Sequence, residues 1–234
     1  MALDVYVGPL TVYYCGQWEN IGQAWARERG FQHHQIRLRD ESDAVRDPEI
    51  VRRMVVDWRQ GLSDALGRNL PSRLDWDEQT EDYMTARPGF EGLGALILWA
   101  SYAEHPDLAR PEHYADFAED PAYRRSAPND AQSHFPAIIR ETEFWLLADF
   151  EFTFKASGPN GDAVMFSSAF GLLRQLRQLN EMTWQADQQT LQSWNVDWPG
   201  DSAPLEALAQ YAFSDMLATA SYACAKGMPI KLDY

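Results

Sequence analysis

The segment GLGALILWASYAE, residues 92 to 104, is apolar on nearly every side of a helical wheel, and Pro106 stops it. A helix without a polar face cannot lie on a surface, so the remaining elements must cover it from all sides. Its longest apolar run, Leu93 to Ala100, also falls well short of the roughly 20 residues that span a bilayer. This helix is therefore expected at the centre of a water-facing fold. With 234 residues and 45% apolar content, the chain can supply such a cover as one domain.

Elements on either side supply the layers. Leu3, Val5 and Val7 alternate with polar or aromatic neighbours before Gly8-Pro9, which predicts a first strand and a turn. Leu10 to Tyr14 reads as a second strand or an irregular segment. Asn20 caps a helix running to Arg29, with Ile21, Ala24 and Trp25 on one face. Asp47-Pro48-Glu49 is a helix start, followed at helical spacing by Ile50, Val51, Met54, Val55, Trp58, Leu62 and Leu66 up to Gly67. Residues 70 to 88 lack an apolar stripe and read as an exposed connection, and residues 107 to 136 as a long excursion containing short helical turns.

Phe150, Phe152 and Phe154 then alternate with polar residues, the turn Ser157-Gly158-Pro159-Asn160-Gly161 follows, and Ala163 to Phe166 can return, which predicts a hairpin. Ser167 or Ser168 caps a helix through Leu172, Leu176, Leu179 and Met182. A loop holding Trp184, Trp194 and Trp198 comes next. Pro204 opens a last helix that Gly227 ends, and Ile230 to Tyr234 adds a terminal strand. The sum is an α+β fold: a small, mainly antiparallel sheet covered by several helices, amphipathic near 48–66, 168–182 and 204–226 and apolar all round near 92–104.

Charge narrows the function classes. The chain carries a net −15, with 35 acids against 20 bases, whereas gripping nucleic-acid phosphates needs a basic footprint. Residues 72 to 120 alone hold twelve acids against three bases, more than half of the excess. The two cysteines, Cys15 and Cys224, have no metal or redox spacing, which favours a reducing compartment. The opening MALDVYVGPL has neither a basic nor an apolar leader region, so a cytoplasmic protein is expected.

No motif assigns a cofactor or a catalytic group. Ser167-Ser168 lacks a GxSxG elbow, Gly158 to Gly161 lacks the Lys-Ser/Thr of a phosphate loop, and nothing beside Cys15 lowers its pKa. His33-His34 are adjacent residues that point apart on most backbones. The nearest approach to a metal set is His105, Asp107, Glu112 and His113, with imidazoles and carboxylates of the types that hold catalytic zinc or iron. Pro106 and Pro111 keep these residues off a common helix face. A metal-dependent hydrolase built on them is one alternative, and a homo-oligomeric structural or regulatory protein is another.

What residues 72 to 120 do offer is an anionic surface interleaved with aromatics. Asp75, Trp76, Asp77, Glu78, Glu81, Asp82 and Tyr83 form its densest part and are the expected partner-binding residues. Aromatic anchors inside a charged rim are the composition of a recognition surface, and the acids would steer a basic protein toward it. The terminal segments MALDVYVGPLTVYYCGQW and MPIKLDY are similar to small bacterial proteins, some of which accompany polymorphic toxins as immunity proteins. That resemblance implies a non-enzymatic cytosolic inhibitor that covers the active surface of a basic toxin.

Overall fold

The computed structural model describes residues 3–31, 47–200 and 202–234. Six strands form one sheet: β1 (Asp4–Val7), β2 (Met84–Ala86), β3 (Phe144–Leu146), β4 (Phe154–Ser157), β5 (Ala163–Ser168) and β6 (Ile230–Asp233), in the order β2-β1-β6-β3-β5-β4. Every neighbouring pair is antiparallel except β3 with β5. The last strand in sequence thus lies inside the sheet, with Val5 opposite Leu232 and Trp145 opposite Ile230.

Helices lie on both faces. The apolar segment forms α4 (Phe90–Glu104), which packs most extensively against α9 (Leu205–Lys226) and is accompanied by α7 (Ala169–Met182). A Cβ on Gly92 would stand 3.3 Å from that of Ala212, and one on Gly94 would run into the ring of Tyr114, so both glycines permit close approach. Side chains alternate across a strand. Trp145 accordingly faces α4, α7 and α9, while Phe144 meets Trp58 of α3 (Pro48–Leu66) at 5.6 Å on the other face. One buried apolar cluster draws on β1, β3, β5 and β6 and on α3, α4, α7 and α9, with Met84 of β2 and Phe154 and Ala156 of β4 packed against it.

Caps follow local chemistry where the sequence carries it. Asp47 accepts from Glu49 N, Ser168 from Gly171 N, and Asn20 with Gln23 closes a capping box on α2 (Ile21–Glu28). Gly227 ends α9 in the left-handed region at φ 70°. The excursion between α4 and β3 contains α5 (Pro121–Ser126) and α6 (Pro136–Ile139), and the Trp-rich loop contains α8 (Gln188–Ser193).

Two expectations are revised. Leu10 to Tyr14 is a helix, α1, not a strand. Its N-terminus has no side-chain cap of its own; instead Glu78, 68 residues away, accepts from Leu10 N at 3.1 Å and from Thr11 N at 2.7 Å. The hairpin forms, but pairing begins only at Phe154, and Phe150 and Phe152 meet as a tilted ring pair at 4.7 Å before it. Among the described residues no helix is long and apolar enough to cross a membrane.

Candidate functional site: an anionic edge with exposed aromatics

The segment from Asp75 to Tyr83 leads into β2, which among the described residues pairs only with β1 and forms one edge of the sheet. Its residues divide by direction. Trp76 and Glu78 turn inward, each 6% exposed, so these two cannot belong to a partner-binding surface. Glu78 accepts four hydrogen bonds, from Leu10 N, Thr11 N, Thr11 Oγ1 and the Trp76 indole. A buried carboxylate survives only with such a set of donors, and here it ties the segment to α1.

Asp75, Asp77, Glu81 and Asp82 remain on the outside. Two of them make loose ion pairs, Asp75 with Arg59 at 3.3 Å and Asp82 with Lys226 at 3.5 Å. Arg59 also donates to Trp76 O at 2.6 Å, so the backbone below the acids is held. Tyr83 is half-buried, stacked at 5.8 Å on Tyr6, and its hydroxyl accepts from Glu19 N at 3.1 Å. Burial pushes the Tyr6 hydroxyl far above the ordinary tyrosine range, with Glu78 and Tyr83 adding to the shift, so it stays a donor, to Pro9 O.

Glu19 joins this edge to α2. Its backbone carbonyl accepts from Thr85 Oγ1 of β2 at 3.4 Å, and its carboxylate pairs with Arg27 of α2 at 2.9 Å. The apolar face of α2 is half open: Ile21 is 45% exposed and Trp25 50%, and Phe31, just beyond the helix, is 61% exposed. Trp25 and Phe31 stack at 5.9 Å with an interplanar angle of 15°, and the Arg29 guanidinium lies 4.4 Å from the Trp25 ring. The periodicity of Ile21, Ala24 and Trp25 marks an apolar stripe but cannot tell a core from a surface that awaits a partner.

The residues read as a possible metal set are dispersed among other tasks. His105 Nε2 meets Ser126 Oγ at 3.0 Å, Asp107 pairs with Arg125 at 2.8 Å, and Glu112 lies 4.0 Å from His113 with both side chains in solvent. The hydrogen bond from Arg125 holds the Asp107 carboxyl below its usual range. Among the described residues no three histidines, cysteines or carboxylates gather to hold a metal. His33-His34 lie outside the described residues.

His105 beside Ser126 has the look of a nucleophile and its base. Ser126, however, is 1% exposed and donates to Glu104 Oε2, while Glu104 Oε1 accepts from Ser133 Oγ and the backbone of His134 and Phe135. The group fastens the 133–135 turn to the end of α4, and no substrate atom can reach the hydroxyl. Ser168, likewise, caps α7 and donates to Ala148 O. Searches for relatives of the chain find no matching family model, no matching curated protein and no matching solved structure.

Proposed function

We propose that the protein is a non-enzymatic binding protein that captures a basic protein partner, and that the partner is a bacterial toxin whose active surface it covers. One observation carries the reading. The half-exposed Trp25–Phe31 stack is tied through Glu19 to a sheet edge that holds Asp77, Glu81 and Asp82 outward. Aromatic anchors supply most of the energy of an interface, and rim charges supply encounter rate and partner choice.

The arrangement also favours a basic partner over self-association. A two-fold contact between copies brings the same patch against itself, and here it would set the acidic edge against its like. The toxin assignment rests on the resemblance of the terminal segments to immunity proteins. A metal-dependent hydrolase has no comparable support, because His105, Asp107, Glu112 and His113 do not converge.

The test uses a partner isolated from the native host at low salt and then produced in pure form. Asp77→Lys/Glu81→Lys is expected to slow association and flatten its salt dependence, since exposed charges act over a Debye length of about 8 Å at physiological salt. Trp25→Ala/Phe31→Ala is expected to speed dissociation at least tenfold, the loss typical of a truncated anchor of roughly 2 kcal/mol. Unchanged rates in both variants would remove this edge from the interface and sink the proposal.

A further inference from the structure

Between the sheet and the α4, α7 and α9 layer lies a cavity of about 260 Å³ that opens to solvent. Its walls are apolar, with Leu93, Ile97, Ile138, Trp145, Leu172 and Met216 among them. At its mouth the chain from Glu141 to Glu143 contributes three polar side chains in a row. Glu141 is exposed and Glu143 half-buried, and neither forms an ion pair with a described residue. Between them Thr142 is 4% exposed, and its hydroxyl has no hydrogen-bond partner. Buried hydroxyls are nearly always paired, so this one stands out.

Each carboxylate is held by a tyrosine. Tyr123 donates to Glu141 Oε1 at 2.5 Å and Tyr234 to Glu143 Oε2 at 2.5 Å. Burial, helped by Glu141, pushes the Tyr123 hydroxyl above the ordinary tyrosine range and keeps it a donor. A carboxylate has about four acceptor sites, so most of the capacity of both groups remains unused. The mouth therefore presents two fixed anions above an apolar chamber, with the Thr142 hydroxyl buried between them.

We infer that this cavity binds a small amphipathic cation: a single ring or branched apolar body inside, with a primary ammonium held by Glu141 and Glu143. The donors of an ammonium match the open acceptor sites of these two carboxylates. The volume lies just below the common range of ligand pockets, roughly 300–1,000 Å³, which suits one ring rather than a long chain. Cations do occur nearby, since Arg140 and Lys155 line a polar hollow on the other side of Glu141 and Glu143. Arg140, however, donates to Ala131 O and Thr153 Oγ1, and an anion placed in the apolar chamber would face the carboxylates first.

The proposal can be tested by calorimetric titration of the full chain with four probes. Phenethylammonium is expected to bind at one site, 3-phenylpropionate at least tenfold more weakly, and phenethyl alcohol in between. Methylammonium, which has the charge without the body, separates this site from general attraction to a chain of net −15; it is expected to give no saturable binding. In Glu141→Gln/Glu143→Gln, with its melting curve checked, phenethylammonium should fall to the affinity of the alcohol. Equal binding of the ammonium and carboxylate probes, equal binding of methylammonium, no binding of any probe at millimolar concentration, or a double variant that keeps the ammonium preference would each overturn the inference. Should the double variant not fold, the ranking of the four probes on the native chain decides.

Discussion

Glu78 offers the sharpest test of how this fold is held together. Replacing it by alanine leaves three donors, Leu10 N, Thr11 N and the Trp76 indole, buried without an acceptor; Thr11 Oγ1 can turn away. Each stranded donor costs about 1–3 kcal/mol. Against this, the variant no longer bears the several kcal/mol of desolvating a buried carboxylate. The net loss is about 2–4 kcal/mol. For a chain of this size 1 kcal/mol moves the melting temperature by about 2–4 °C, so a drop of about 4–16 °C is expected in a thermal scan. Amide hydrogen exchange should quicken first in α1, whose opening N–H groups lose their cap. Asp77→Ala, one residue away but in solvent, is the control and should stay within about 0.5 kcal/mol. If Glu78→Ala melts with that control, the carboxylate does not hold α1 and the segment together, and the division of residues 75 to 83 into inner and outer groups is wrong.

Two further outcomes follow from buried charge. Asp4, 3% exposed at the side chain, pairs with Arg87 at 2.7 Å, so Arg87→Leu strands a buried anion and should destabilise by about 3–5 kcal/mol in urea titration; a loss under 1 kcal/mol would mean that the pair is solvated. Asp215 sits in the middle of α9, 7% exposed, and its carboxyl is pushed up by burial, with Oδ2 unpaired. In the folded state it holds its proton to higher pH than in the unfolded chain, so its contribution to stability is greatest below the usual aspartate range and falls as pH rises from there toward the raised folded value. Asp215→Asn should therefore be more stable than the native chain at pH 7, with the gap closing as the pH is lowered; a gap that widens on acidification contradicts the sign.

What could be read from the residues was what they decide locally. Asn20, Asp47-Pro48, Ser168 and Gly227 mark helix ends by chemistry within a few residues, and the structure keeps all four. The uniform apolarity of residues 92 to 104 placed α4 in the core. Leu10 to Tyr14 was misread because its deciding partner, Glu78, is remote, and the same remoteness hid Glu78 and Trp76 among the surface acids. β3 has only three residues and no alternation to announce it, and it pairs with β5 across the intervening β4 and with β6 from a distant part of the chain. At the candidate site, composition pointed to the acidic stretch, but nothing local distinguishes the outward Trp25 from a core tryptophan. The carboxylate-lined cavity is invisible in sequence, because Leu93, Glu141, Leu172 and Met216 meet only after folding.

The place of β6 between β1 and β3 sets the timetable of folding. Two half-sheets, β2 with β1 and the group β3, β5 and β4, share no ladder until Ile230 to Asp233 slot between them. That closure joins residues more than 220 positions apart in sequence, Asp4 to Asp233, and contacts of such separation are slow to form. Until Ile230 to Asp233 are in place, both half-sheets carry bare inner edges. A chain in which that strand is displaced carries two unpaired edges facing each other, the kind of open template on which aggregation starts.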